Sequence, residues 1–292
     1  MKTQQFLTTK ELADLLRVKE RKIYELAGAG EIPCRRVTGK LLFPSDEIDA
    51  WLGGSALVSA NPAKELPHVI AGSHDPLLDW AIRESRCGIA TFFDGSINGL
   101  DELQHGHAMA AGIHLVENNG QDWNHSFVKE RFADAPLVLM EWAKRQQGMI
   151  ISPKLQNITS LGDLKGKRIA QRQPTAGAHI LFNHMIAANG YSATDFDISS
   201  ELSRTETEAA VAVASDAADA APGLAAMAKQ FKLQFMPSIL ERYDLIIDRH
   251  AWFEPPMQNL LTFCRSEKFR KKTTELGGYE LSDHGKIHWN GA

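Results

Sequence analysis

Residues 53–67, GGSALVSANPAKELP, are small, Gly- and Pro-containing and without any sustained apolar period. A stretch of this kind cannot form a core element and reads as a linker. It divides the 292-residue chain into a unit of roughly 50 residues and a much longer remainder. We place a first domain at 1–54, the linker at 55–66 and a second domain at 67–292. The hydrophobic fraction of 43% is enough to build a sizeable core in the longer part.

Charge separates the two parts further. The whole chain carries a net −4, so it is not a general polyanion binder. Between Arg17 and Lys40, however, seven basic residues (Arg17, Lys19, Arg21, Lys22, Arg35, Arg36, Lys40) face three acidic ones (Glu20, Glu25, Glu31). A local excess of four positive charges suits phosphate contact. The three cysteines, Cys34, Cys87 and Cys264, are scattered, and neither a disulfide framework nor a zinc site is indicated. The N-terminal segment lacks a continuous apolar region with a cleavage site, and no run of about 18 apolar residues exists. The expected location is the cytoplasm.

In the first part, Thr8 or Thr9 can cap a helix whose stripe is Leu12, Leu15 and Leu16. Residues 17–19 form a short connection with Val18 expected inside, and 20–27 form a second helix with Ile23 and Leu26 facing inward. Helix, tight turn, helix is the arrangement that lays its second helix in a major groove. Lys19, Arg21, Lys22 and Tyr24 are its outward candidates. Two strands, 32–37 and 40–43, flank a Thr38-Gly39 turn and carry Arg35, Arg36 and Lys40. Residues 45–52 form a closing helix whose Trp51 should pack under this hairpin. The Leu-Thr-x-x-Glu-Leu-Ala-x-Leu-Leu start, Ile23-Tyr24, Gly30-Glu31-Ile32-Pro33 and the Trp51-Leu52 ending resemble the MerR/excisionase-type winged helix-turn-helix. That resemblance implies binding of double-stranded DNA.

After the linker, apolar strands alternate with helical patterns: 68–72, 89–92, 110–115, 136–142, 149–151, 167–171, 233–236 and 243–247 as strands; 76–86, 99–105, 177–189, 207–215 and 222–231 as helices; and a helical C-terminal region. Such alternation predicts a mainly parallel sheet covered by helices, in two successive units. Three loops precede helices: Gly72-Ser73-His74-Asp75-Pro76, the 94–100 loop with Gly95 and Ser96, and the 172–177 loop with Arg172 and Thr175. Helix N-termini offer unpaired N–H groups, and strand ends in α/β sheets are where ligands bind.

Gly72-Ser73-His74-Asp75, Gly95-Ser96-x-x-Gly99-Leu100, the 111–115 strand with His114, Arg172-Gln173, and Glu241-Arg242-Tyr243-Asp244-Leu245 together resemble a periplasmic-binding-protein-like ligand domain. The implied fold is α/β of type 2: two lobes, about 67–145 with 237–292 and about 146–236, around a cleft. The resemblance also implies a ligand site at Ser73, His74, Asp75, Gly95, Ser96, His114, Arg172, Thr175 and Tyr243. A molybdate- or tungstate-like oxyanion is the leading ligand by resemblance, with a small organic acid behind it. The loop after Arg172-Gln173 departs from the family's usual Gly-Ser-Gly-Thr-Arg, reading Pro-Thr-Ala-Gly-Ala-His.

Ser73-His74-Asp75 has the residue types of a hydrolytic triad, but adjacent residues do not normally converge into one. His105, His107 and His114 lack a partner with metal-ligand spacing. Trp123, Trp142 and Trp252 suit a core better than a ligand cage. The expectation is a ligand-responsive transcription regulator, at least dimeric to match a palindromic operator, with no cofactor, no metal and no enzymatic activity. An enzyme on the same fold, or an excisionase-type recombination factor, would be the alternatives; the large second domain argues against the latter.

Overall fold

The computed structural model describes residues 6–16, 18–29, 32–37, 40–45, 47, 48, 51, 66–117, 120 and 122–291. The chain separates into two compact units, 1–65 and 66–292. The linker reading, apart from Leu66, and Arg17 fall outside the described residues, as do half of the closing helix at 45–52 and the Thr38-Gly39 turn.

The first unit opens with β1 (Phe6–Thr8), a strand absent from the sequence reading, followed by α1 (Thr9–Leu16) and α2 (Glu20–Ala29). Thr8 settles the cap: its Oγ1 accepts from Glu11 N at 3.3 Å, while Glu11 Oε2 accepts from Thr8 N at 2.7 Å. This reciprocal box satisfies two otherwise orphaned donors. β2 (Arg35–Val37) and β3 (Lys40–Pro44) pair antiparallel as the wing, and β1 joins the other edge of β3. Leu12, Ala13, Ile23, Ile32, Phe43 and Ile48 form the core, with Trp51 packed against it. Two sequence expectations change. Val18 is 40% exposed and Leu15 54% exposed, so the apolar stripe of α1 narrows to Leu12 with Leu16 partly covered.

The second unit contains β4 (Val69–Gly72), α3 (Pro76–Ser85), β5 (Ala90–Phe93), α4 (Ser96–Gln104), β6 (Ala110–Ile113), α5 (His125–Phe132) and β7 (Leu137–Ile151). Then follow β8 (Arg168–Arg172), α6 (Gly177–Ala188), β9 (Asp197–Ser203), α7 (Glu206–Ala214), β10 (Ala220–Leu224), α8 (Ala225–Gln230) and β11 (Gln234–Asp248). The C-terminal part holds α9 (Arg249–Phe253), α10 (Pro255–Phe263), α11 (Glu267–Leu276), β12 (Tyr279–Glu280) and β13 (Ile287–Asn290). Among the described residues these strands make one mixed sheet, ordered β5-β4-β6-β11-β7-β10-β8-β9, with β12 and β13 also on β7.

β7 and β11 are single 15-residue strands, antiparallel along their whole length. The sequence reading broke each into two pieces. Residues 143–148 and 237–242, outside those pieces, belong to the strands, and the register sets Glu241 opposite Arg145. β6 pairs parallel with β4 and antiparallel with the Asp244–Ile247 end of β11; β10 pairs with the Gln147–Ile151 end of β7. The long pair therefore carries one group of strands at each end, which makes the two lobes. The sheet is accordingly mixed rather than mainly parallel. Residues 222–231, expected as one helix, divide into the end of β10 and α8. Pro222, read as a helix start, lies near the end of β10, past Ala220, the residue registered with β8. β9, β12 and β13 were not anticipated.

Glycines permit the closest approaches at the lobe's centre. A Cβ on Gly112 would stand 1.8 Å from the Tyr243 hydroxyl, which is held by a 2.6 Å bond to Ser73 O. Overpacking of this kind costs about 1–3 kcal/mol or more. Gly112→Ala is expected to lower the unfolding free energy by at least that amount in urea titration. A change below about 0.5 kcal/mol, the usual range for a tolerated surface substitution, would show that Tyr243 can yield.

Candidate functional site

In the first unit, α2 and the wing present the predicted cations to solvent. Lys19, Arg21, Lys22, Arg35, Arg36 and Lys40 are all exposed, and Tyr24 is 56% exposed. Three are already tethered: Arg21 Nε to Glu25 at 3.2 Å, Lys22 Nζ to Glu25 at 3.9 Å and Arg35 Nη2 to Glu47 at 2.6 Å. Exposed pairs like these are weak and easily exchanged for phosphate.

In the second unit, the loop after β4 turns sharply at Gly72, where φ is +106° and a Cβ would strike Gly112 O. The turn delivers Ser73, His74 and Asp75 to the C-terminal end of this interior strand. Asp75 caps α3 through Leu78 N at 2.7 Å, and also accepts from Trp142 Nε1 at 3.0 Å, Arg145 Nη1 at 3.0 Å and Tyr279 Oη at 2.7 Å. The N-terminus of α3 is thus filled by the chain's own carboxylate. Arg145 binds Glu241 through its other terminal nitrogen and lies 4.3 Å above the Tyr243 ring. Glu241 Oε2 meets His114 Nδ1 at 2.8 Å. All of these side chains are buried except that of Tyr279, which is half-buried. Burial works against the Glu241 charge, but Arg145 and His114 outweigh it and hold the carboxyl below its ordinary pKa. Burial likewise opposes the Arg145 charge, and Glu241 and Asp75 raise its pKa nonetheless.

Ser73 and Ser96 hydroxyls lie 2.9 Å apart, and Ser96 Oγ accepts from His114 N at 3.1 Å. Gly95 (φ +108°) and Thr175 meet across the lobes: a Gly95 Cβ would be 2.8 Å from Thr175 O, and Ile97 N donates to that carbonyl at 3.2 Å. Thr175 Oγ1 donates to Asp94 O at 3.3 Å, and Arg204 Nη1 to Asp94 Oδ1 at 2.5 Å.

The predicted ligand residues therefore gather at the strand ends of both lobes, with one reassignment. Arg172, expected to offer charge to an anion, gives Nη1 to Glu206 at 2.6 Å and Nε and Nη2 to the carbonyls of Ser203 and Arg204. The adjacent Ser-His-Asp set makes no triad: Ser73 bonds Ser96, while His74 Nδ1 has no partner among the described residues. Burial holds His74 in its neutral form, below the ordinary histidine pKa. His105 and His107 stack at 5.8 Å on the exposed side, away from buried His114.

Sequence reasoning missed the polar atoms that the cleft leaves open. Arg145 Nε, Gln147 Nε2, Gln173 Oε1 and Glu206 Oε2 are buried and, with His74 Nδ1 and Glu141 Oε1, without a hydrogen-bond partner among the described residues. Buried polar groups are normally satisfied, so these atoms are candidate ligand contacts. The available signal was the polar run 144–147 inside an apolar strand.

Residues 80–265 match the family model described as the PBP superfamily domain. The chain belongs to the PBP superfamily. Residues 6–55 match a helix-turn-helix domain model. YvgK of Bacillus subtilis is similar at 24% identity over 301 residues, covering 96% of both chains. A Clostridium pasteurianum protein from the ferredoxin 2Fe-2S gene 5' region is 38% identical over 76 residues, 26% of this chain and 67% of its own. Among solved structures, a phosphate-bound putative phosphate ABC transporter substrate-binding protein from Clostridium perfringens superposes with a TM-score of 0.51 at 12% identity, over 71% of this chain and 96% of that one. The alkanesulfonate-binding protein SsuA of Xanthomonas axonopodis pv. citri gives 0.47 at 18%, over 73% and 78%. These likenesses concern the PBP fold. Both matched families are binding modules rather than enzyme families.

Two outcomes test the PBP-domain geometry. Arg172→Ala leaves Glu206 buried without its cation and should cost about 3–5 kcal/mol of stability in urea unfolding. A loss under about 1 kcal/mol, the worth of an exposed pair, would mean that the Arg172–Glu206 pair is not structural. Glu241, whose folded pKa is lowered from 4.5, contributes stability that is present above that value and lost as pH falls below it. Glu241→Gln removes this titration, so its melting temperature should fall less steeply than the wild type's between about pH 5 and about pH 3. Parallel profiles would assign the acid sensitivity elsewhere.

Proposed function

We propose that this chain is a one-component transcription regulator that binds double-stranded DNA through its winged helix and senses a small molecule in the cleft of its PBP domain. The observation that carries this reading is the joining of a basic winged helix to a binding fold with buried, unsatisfied polar atoms in its cleft. Lys19, Arg21, Lys22 and Tyr24 would approach the major groove, and Arg35, Arg36 and Lys40 the phosphates of the backbone. Ser73, His74, Asp75, Gly95, Ser96, His114, Arg172, Thr175 and Tyr243 would frame the ligand, with Arg145, Gln147, Gln173 and Glu206 added from the structure. The lobes would switch by closing on a ligand that binds one arrangement better than the other. We place the protein in the cytoplasm, where its DNA is, and expect a homodimer that matches a two-fold operator.

Two ligand classes compete. A tetrahedral oxyanion such as molybdate or tungstate would take its hydrogen bonds from the Ser73–Ser96 pair, Arg145 and Gln147. A small organic acid would use the same donors for its carboxylate. The commitment of Arg172 to Glu206 favours the acid, because the cation intended for a dianion is already neutralised.

The DNA reading is tested by gel shift on the protein's own upstream region over a range of salt. Each phosphate contact contributes about −0.9 to the log–log salt slope. Arg36→Ala with Lys40→Ala should weaken binding to all sequences and flatten the slope by about 1.8. A slope that stays the same removes the wing from the DNA contact.

A further inference from the structure

One buried atom without a partner stands apart from the cleft. Glu141 is 1% exposed, and its Oε1 meets no donor among the described residues. From Ile239 to Tyr243 the register of β11 on β7 is regular, with Tyr243 opposite Ala143. It then slips by one residue and continues with Asp244 opposite Glu141, leaving Trp142 as the extra residue of a bulge. The slip brings Glu141 to the face of Asp244, where Leu139 and Ile246 belong to one apolar cluster. Tyr243, Leu245 and Ile247 belong to another, on the opposite face with Arg145 and Glu241.

Like charges directly opposite on neighbouring strands are destabilising, and burial sharpens the cost. Arg242 answers only one of the two carboxylates. Its Nε donates to both oxygens of Asp244, at 3.0 and 3.1 Å, and its Nη2 to Trp123 O at 2.7 Å. Among the described residues Glu141 receives His288 alone, whose Nε2 lies 2.7 Å from Oε2. His288 arrives through a second bulge. β13 registers Ile287 with Met140 and Trp289 with Leu139, so His288 is inserted between two consecutive partners. Glu141 N donates to Lys286 O at 2.8 Å and Gly285 N to Glu141 O at 2.9 Å, which holds this segment against the same residue.

Bulges re-aim side chains, and two of them meet at this point. One donor atom from each of Glu141, Asp244 and His288 lies within 4.8 Å of the other two. Asp244 is further oriented by Asn124 Nδ2, 2.8 Å from Oδ2. Ligating carboxylates are commonly fixed by outer hydrogen bonds of this kind. A carboxylate offers about four lone-pair sites, so the bonds from Arg242 and Asn124 leave room for one more contact.

We propose that Glu141, Asp244 and His288 form a binding site for a divalent transition-metal ion, with zinc the best match. An imidazole nitrogen beside two carboxylate oxygens is a donor set that zinc accepts, whereas magnesium and calcium favour oxygen alone. Zinc holds such ligands at about 2.0–2.2 Å, which needs shifts of roughly an ångström from the present spacing. His288 is the one half-buried member, so the ion enters from its side and water completes the shell there. The bound ion would bridge the two carboxylates and fasten β13 to β7. The site is separate from the sensing cleft and does not depend on the regulator reading.

The test is calorimetric titration of the chelator-treated full chain with zinc, manganese and magnesium chlorides, paired with melting curves in each salt. Zinc is expected to bind one to one and to raise the melting temperature, manganese more weakly, and magnesium not at all. His288→Ala should weaken zinc binding at least about 100-fold, since even outer-shell changes cost about 10–100-fold, and should abolish the rise in melting temperature. Should that variant melt too early to titrate, Glu141→Gln keeps the side chain's size and carries the same expectation. Replacing the exposed pair, His105→Ala with His107→Ala, should leave both readouts as in the wild type. Zinc binding weaker than about 100 μM overturns the proposal. So does binding that survives His288→Ala and Glu141→Gln, that is lost with the His105 and His107 changes, or that magnesium equals. A His288→Ala variant that melts early but gains as much from zinc as the wild type would reduce the cluster to an ion pair, and overturns it too.

Discussion

The second unit is organised around one buried guanidinium. Arg145 lies midway along the β7–β11 pair, fully removed from solvent, with Asp75 and Glu241 on its two terminal nitrogens. Few positions in a protein tolerate this, because burying an ion is expensive and only good geometry with further hydrogen bonds repays the cost. The repayment here comes from several directions. Asp75 arrives from the loop after β4, Glu241 from the facing strand, and the Tyr243 ring lies under the guanidinium. Asp75 in turn holds Trp142, Tyr279 and the first turn of α3, while Glu241 holds His114 beyond β6. Five separate segments are thereby fixed to the centre of the sheet by one ion cluster. Removing a single partner leaves a buried charge uncompensated, which is strongly destabilising.

That cluster also explains where sequence reading succeeds and where it stops. The winged unit is legible because its determinants are local. Thr8 and Glu11 are three residues apart, and a 3.6-residue period brings Leu12 and Ile23 inward. The strand–helix alternation of the first lobe is legible for the same reason: each apolar run ends at a Gly or at a cap such as Asp75. The two long strands are not. A strand interior containing Lys144, Arg145, Gln146 and Gln147 contradicts apolar patterning, and the contradiction resolves only when Glu241, 96 residues away from Arg145, is placed opposite. β12 and β13 are short and irregular and gain their form by pairing with β7, which no local period announces.

The cleft follows the same logic. Ser73, Ser96 and Thr175 stand at helix-opening loops, and their type and place are visible in the chain. The role of Arg172 is not, because its partner Glu206 lies 34 residues on and arrives through the start of α7. A cation in a ligand-binding loop invites the reading that it awaits an anion. The folded protein spends it on its own carboxylate, and what remains open is a mixture of donors and acceptors that no single loop displays.

The contacts between the lobes bear on how the cleft would respond to its occupant. Asp94 and Arg204 pair across the lobes, but the Arg204 side chain is 58% exposed, and a pair so exposed contributes little in water. The Gly95–Thr175 approach adds neutral backbone contacts whose net worth is modest, since water satisfies the same groups when the lobes part. By contrast, the open atoms of Arg145, Gln147, Gln173, Glu206 and His74 are sealed from solvent, and a parting of the lobes that reached them, as the proposed switch requires, would return them to water. In that switch, closure without a ligand would carry the desolvation cost of each of them, and a ligand that satisfied them would remove the cost only in the closed form. This is the differential interaction that a ligand-driven switch requires. In the sensor proposed above, the weak surface pair would yield at little cost, and the unsatisfied interior would make closure depend on the ligand.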